Sequence, residues 1–193
     1  RTVALNTEVW LDDLRLSQLN EQGGYAALGR VDIQLADLGS LSVSANTYTY
    51  GFGTIDQSVN ERAKNDLAQF DVAATIDAGK LFPKKVHFSI PVYASINRTV
   101  LTPHYDPYDQ DVLYSYKINT AASPTARDSI KSTALDQTTI KTINFTNVKF
   151  ALPPAKPKLW SLSNFDFSYP YTQIEQSNPQ VVENNIKKYQ GGV

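Results

Sequence analysis

Through most of this chain apolar and polar residues alternate with a period of two, in runs of about ten residues. Val31, Ile33 and Leu35 alternate with Arg30, Asp32 and Gln34; past a short turn near 36–40, Leu41, Val43 and Ala45 alternate with Ser42, Ser44 and Asn46. Phe70, Val72, Ala74, Ile76 and Ala78 interleave with Gln69, Asp71, Ala73, Thr75 and Asp77. Beyond a turn near 80–85, Val86, Phe88, Ile90, Val92, Ala94 and Ile96 alternate with His87, Ser89, Pro91, Tyr93, Ser95 and Asn97. Successive strand side chains point to opposite faces, so each run is a strand with one apolar and one polar face. Strands this long are at the upper end for a soluble sheet. They are near the ~9–11 residues that cross a bilayer at a tilt.

Four further strands are expected. Glu8 to Leu16 contains Trp10; Thr139 to Phe150 is β-rich; Phe165, Phe167, Tyr169 and Tyr171 share a face opposite Asp166, Ser168 and Pro170; and another begins near 187–193. Proline normally confines a strand to an edge, a first position or a bulge. The alternation continues past both Pro91 and Pro170, so both runs remain strands. Short turns near 36–40, 80–85 and 153–158 alternate with long polar loops near 51–67, 99–137 and 172–186. Outer-membrane barrels sort their connections in this way. The expected fold is therefore all-β, antiparallel hairpins forming a segment of a very large transmembrane barrel. Open sheet edges are not tolerated in lipid, so residues 1–193 are read as an internal fragment of that barrel. A soluble β-sandwich at the cell surface, binding glycan or protein, fits the alternation and the aromatics as well.

Composition narrows the function. Lys+Arg 18 against Asp+Glu 19 gives a net charge of -1, without the basic surplus that phosphate neutralisation needs, so no nucleic-acid partner is expected. Charged residues are 19%, below the ~25% usual in soluble domains, while 11 Tyr and 8 Phe suit strands between an apolar medium and water. The absence of Cys excludes disulfides, thiolate metal sites and a cysteine nucleophile together. The two histidines, His87 and His104, offer little to a metal site or a triad. No apolar stretch approaches the ~18 residues of a spanning helix.

Candidate chemistry is sparse. Asp106, Asp109 and Asp111 could offer oxygen ligands to Ca²⁺, but the segment lacks the glycine and terminal glutamate of an EF-hand, and an Asp-Pro turn in a solvated loop is the simpler account. Trp10 with Asp12, Asp13 and Arg15 fits either a glycan subsite or a packed tryptophan. Lys84, Lys85, Lys156 and Lys158 lie in short turns, where they could meet lipid phosphates or simply solvate. The triplets Asn97-Arg98-Thr99 and Asn144-Phe145-Thr146 arise readily by chance in strands. No nucleophile elbow, phosphate loop, paired-carboxylate site or zinc motif is found. The chain is read as no enzyme, with no cofactor.

Several phrases are distinctive as words: Glu8-Val9-Trp10-Leu11-Asp12-Asp13-Leu14-Arg15-Leu16, Gly23-Gly24-Tyr25-Ala26-Ala27-Leu28-Gly29-Arg30-Val31-Asp32, Gly51-Phe52-Gly53-Thr54-Ile55, Gly79-Lys80-Leu81-Phe82-Pro83-Lys84-Lys85 and Ser89-Ile90-Pro91-Val92. Tyr105-Asp106-Pro107-Tyr108-Asp109-Gln110-Asp111, Lys141 to Val148 and Ser163 to Tyr169 continue the series. In this order they resemble the SprA family, also called Sov, large cell-surface proteins of Bacteroidetes needed for gliding motility and type IX secretion. The resemblance implies an outer-membrane translocon, an exceptionally large barrel around an aqueous, protein-wide pore. Its implied partners are cargo proteins with C-terminal type IX signals, including gliding adhesins, a shuttle barrel protein, a plug protein and outer-membrane lipid. It brings no catalytic residues. Within such a wall Val86, Phe88, Ile90, Val92, Ala94 and Ile96 would face lipid. His87, Ser89, Tyr93, Ser95 and Asn97 would line the pore, and Phe165, Phe167, Tyr169 and Tyr171 would join an interfacial aromatic girdle.

Overall fold

A computed structural model describes Glu8 and residues 22–83, 88–150 and 165–192. Seven strands form one antiparallel meander in chain order: β1 (Ala26–Leu35), β2 (Gly39–Tyr48), β3 (Asn65–Asp77), β5 (Pro91–Pro103), β6 (Asp136–Phe150), β7 (Phe167–Asn178) and β8 (Val181–Tyr189). A two-residue strand, β4 (Phe88–Ser89), lies off this path and pairs with Phe150 and Lys149 of β6. Two helices, α1 (Tyr114–Asn119) and α2 (Pro124–Ala134), lie between β5 and β6. The sheet is open, with β1 and β8 as its edges among the described residues.

The period-two runs become β1, β2, β3 and β5, with registers that keep each alternating set on one face. The first hairpin closes through Ala36-Asp37-Leu38, where Ala36 takes φ 48 and Leu38 N–H donates to the Leu35 carbonyl at 2.9 Å.

The structure differs from the expectations in four places. The run Val86 to Ile96 is broken at Ile90, whose N–H donates to the Asp77 carboxylate at 3.3 Å and whose carbonyl accepts from Ala78 at 2.9 Å. These bonds turn the chain, so β5 begins at Pro91, a first position that needs no donor. Residues 172–186 are no long loop. Most of them belong to β7 and β8, joined by Pro179-Gln180, where the Asn178 side chain accepts from Gln180 N–H at 2.9 Å and Val181 N–H at 2.7 Å. The expected loop at 99–137 also shortens, because β5 runs on to Pro103 and β6 starts at Asp136, with α1 and α2 between. The final strand spans Val181–Tyr189 and so begins before the expected 187.

Connections therefore sort only in part. One end of the sheet carries 36–38 and 78–90, here the turn end; the other, the loop end, carries the long 49–64 and 104–135 but also the tight 179–180. The expected turn at 153–158 and, apart from Glu8, the expected strand to Leu16 with Trp10 lie outside the described residues, as do Lys84, Lys85, Val86 and His87.

This sheet has almost no interior. Among the described residues Gly51, Gly79, Asp106 and Ala134 are buried. The chain exposes 15066 Å², against about 9,100 Å² for a compact monomer of its mass by the usual area scaling. A domain normally buries its apolar face against a second layer; among the described residues a single layer stands with both faces open.

Candidate functional site

Directly paired residues share a face, so the registers lay out the surface row by row. One row reads Leu35, Gly39, Ile76, Val92, Phe145, Tyr169; the next on that face reads Ile33, Leu41, Ala74, Ala94, Ile143, Tyr171, Tyr189. The third begins Val31, Val43, Val72, Ile96 and then turns polar with Lys141, Gln173 and Lys187. On β1 to β5 this is a continuous apolar surface left open: Val31 is 57% exposed and Phe70 47%.

The limit of the apolar surface slants across the sheet. It reaches the row of Ala27 and Ala68 on β1 and β3, is interrupted on β5 by Arg98 with Val100 apolar again beyond it, and stops at Ile143, Tyr171 and Tyr189 on β6 to β8. From the row of Ala27 to the row of Ile33 is a shift of six residues along the chain. Toward the turn end the surface advances in the same sense, with Val148 facing Phe167 beyond a bulge at 146–147. Below the slanted limit the side chains pair with one another, Lys141 with Glu175 at 2.9 Å and Arg98 with Gln137 at 3.2 Å.

A horizontal apolar slab cut by tilted strands produces such a slant. With strands ~4.8 Å apart, a rise of ~3.3 Å per residue and a barrel tilt of ~35–45°, six strand steps shift the slab by about 6–9 residues. The observed shift falls in that range.

The opposite face carries Asp32, Ser42, Ala73, Ser95, Thr142, Thr172 and Lys188 in one row and Gln34, Ser40, Thr75, Tyr93 and Asn144 in the next. Arg30 and Asp32 neutralise each other at 2.9 Å, and Gln69 donates to Asp71 at 3.1 Å. Two rows depart from this polarity: one runs Arg30, Ser44, Asp71, Asn97 and then Ile140, Ile174, Ile186, and the other, at the loop end, runs Ala26, Tyr48, Leu67, Leu101 before Asp136.

Of the residues expected to face lipid, Val92, Ala94 and Ile96 share the apolar face; of those expected to line a pore, Tyr93, Ser95 and Asn97 share the other. Ser89 and Ile90 precede β5 and join neither register. Phe88 belongs to β4. Phe167, Tyr169 and Tyr171 share a face on β7, whereas Phe165 precedes that strand.

Both ends are fastened by residues from the distinctive phrases. At the turn end Lys80 donates to the Asp37 carbonyl, clasping the first hairpin turn, and Asp77 accepts from Gly79 N–H at 3.2 Å. At the loop end the two glycine phrases meet: a Cβ on Gly24 would lie 2.4 Å from Phe52 N, and one on Gly51, at φ 79, would lie 2.3 Å from the Gln22 carbonyl oxygen.

The acidic phrase folds into a staple. Asp106 is 2% exposed; its Oδ1 accepts from Tyr108 N–H at 2.9 Å and Asp109 N–H at 3.0 Å, and its Oδ2 from Lys117 Nζ of α1 at 2.8 Å. Burial pushes this carboxyl up, but the Lys117 ammonium and the two backbone N–H groups outweigh it and hold the group below the ordinary range. A lysine occupies the place the Ca²⁺ reading reserved for a metal ion, and Asp106, Asp109 and Asp111 form no three-carboxylate cluster among the described residues. Tyr108 Oη donates to the Pro179 carbonyl, tying the staple to the β7–β8 turn. Sequence reasoning missed α2 although its signal was present: Ser123 caps it, accepting from Ala126 N–H at 3.1 Å, with Pro124 at its first turn.

A search of curated proteins finds no match. The family SprA_N, described as a motility related/secretion protein, matches residues 1–118. That stretch holds β1 to β5, the slanted apolar surface they carry and the Asp106 staple, so the chain belongs to the SprA family of motility- and secretion-related proteins.

Proposed function

We propose that this chain is a wall segment of an outer-membrane, protein-conducting translocon that exports type IX secretion cargo, gliding adhesins among it, to the cell surface. Membership in a motility and secretion family is consistent with an envelope location. The observation that carries the finer reading is the slanted apolar face, which matches what tilted strands in a bilayer require. A sheet that is open, with edges unpaired among the described residues, has the form of an arc of a larger closed wall. In this reading Val92, Ala94 and Ile96 contact lipid, while Tyr93, Ser95 and Asn97 line water. The role is one of passage and needs no catalysis. Serine, threonine and asparagine rows, with Arg30 and Asp32 cancelling each other, give a hydrogen-bonding surface with little net charge, over which varied cargo moves without adhering. Cargo with C-terminal type IX signals, a shuttle barrel protein and a plug protein are the proposed partners.

The chain contains no Cys, so single cysteines place nitroxide labels cleanly within it in the full-length protein in its native membrane. Labels at 92, 94 and 96 are expected to collide with oxygen and be shielded from a water-soluble nickel chelate. Labels at 93, 95 and 97 are expected to show the reverse. Shielding of the apolar set from both reagents would mean a packed protein interior, and the wall reading would fall in favour of a soluble binding module.

A further inference from the structure

At the loop end a cavity of about 300 Å³ opens between segment 49–64 and the start of 104–135. Nothing in the wall reading uses it. Its cations are Arg62 and Lys64, its aromatic rings are Tyr50 and Tyr105, and Gln22 and Asn60 add amides; among the described residues no carboxylate lines it.

The cations are held in place by backbone. Ala63, between them, donates to the Phe52 carbonyl and accepts from Gly51 N–H, both at 2.8 Å. Arg62 and Lys64 thus flank a fixed point. The stem of Arg62 packs over Gly53, where a Cβ would lie 2.8 Å from Arg62 Cγ. Arg62 is half-buried, and no carboxylate among the described residues pairs with it. The nearest acids in sequence are engaged elsewhere: Glu61 accepts from Ser58 N–H at 3.1 Å and Asp66 from Tyr50 N–H at 2.7 Å. A part-buried guanidinium without a carboxylate partner favours an anion strongly, and among the described residues no carboxylate competes for it.

The rings form a rigid wall. Tyr50 stacks on His104 with centroids 3.8 Å apart, and Tyr105 meets the same imidazole edge-on at 4.9 Å. An aromatic wall, an amide and an unpaired cation in a volume near the lower end for small-molecule sites suit a pyranose ring that carries one negative charge. We infer that this cavity binds an anionic sugar, a uronate or a sugar phosphate, its charge on Arg62 and Lys64 and its ring against Tyr50 and Tyr105.

The test uses the full-length protein in detergent and saturation-transfer NMR, with dissociation constants for glucuronate, glucose 6-phosphate, glucose, acetate, inorganic phosphate and N-acetyl-aspartate amide. Glucuronate and glucose 6-phosphate are expected to bind at least about tenfold more tightly than the other four probes. Arg62→Gln is expected to remove that advantage and to leave the weak glucose signal unchanged. Lys64→Gln, at an exposed position, is expected to weaken both charged sugars severalfold without disturbing the loop. Glucose binding as tightly as glucuronate would overturn the inference, as would indifference of glucuronate to both substitutions. Acetate and phosphate matching the charged sugars would reduce the cavity to a bare anion site and overturn it too. Preference for the acetyl-aspartate probe would reassign it to peptide.

Discussion

Burial, charge and loop architecture meet at one side chain, Asp106. Its folded pKa lies below the ordinary carboxylate value, so the ionised form contributes stability that is complete above the unfolded value of about 3.9 and is lost as pH falls through the folded value. Protection of the Tyr108 and Asp109 amides, relative to an unstructured peptide at the same pH, is therefore expected to hold from neutral pH down to about 5 and to fall below about 4. Asp106→Asn keeps an acceptor for the two N–H groups but loses the ion pair with Lys117. It is expected to loosen this loop by about 1.5–3 kcal/mol, the worth of hydrogen bonds to a charged group, and to abolish that acid dependence. Gly51→Ala sets a methyl against the Gln22 carbonyl and forces a left-handed alanine, for an expected cost of about 1–3 kcal/mol. Faster proteolysis within 49–64 would report it. Spacing alone displayed the aspartates of the acidic phrase but could not display Lys117, because the partner that turns a metal-like cluster into a staple arrives from a helix eleven residues on.

At the level of elements, legibility followed contrast between the two faces. β1, β2, β3 and β5 declared themselves because valine, isoleucine and phenylalanine alternate there with serine, aspartate and asparagine. β8 and the loop-end half of β7 did not, since Gln173, Glu175 and Ser177 on one face answer Thr172, Ile174 and Gln176 on the other, and mixed polarity reads as loop. The same contrast makes a prediction. Ile96→Lys sets a charge on the apolar face of β5 and is expected to destabilise the membrane-inserted protein by about 2–4 kcal/mol if it lies near mid-bilayer. Ser95→Lys, on the neighbouring face, is expected to cost under about 1 kcal/mol, near what a surface substitution costs. Urea midpoints in vesicles of fixed lipid composition separate the two outcomes; equal losses would mean that the faces do not differ in environment.

For the whole molecule, the slant of the apolar surface was hidden in the sequence, because it emerges only when the six registers between seven strands are laid side by side. Each strand alone shows where its own apolar run stops; none shows that the stops descend across the sheet. Val43 and Gln173 occupy one cross-strand row, yet in the proposed membrane wall the slant would set them at different heights. Nitroxides at these two sites are expected to differ in depth by about 11–14 Å, four strand steps at the barrel tilt, with Val43 deep and Gln173 near or beyond the interface. Equal depth would mean the rows lie parallel to the membrane and the strands stand upright.

The slant also places a second lock on strand pairing. A slip by one residue exchanges the faces and is punished at once. A slip by two keeps every side chain on its own face, and alternation is blind to it. Here it would displace a strand's apolar stretch by about 6.6 Å against its neighbours', moving polar side chains into lipid at one interface and apolar ones into water at the other. In the proposed wall the bilayer itself would thus discriminate, during assembly, among registers that the chain's own alternation treats as equivalent.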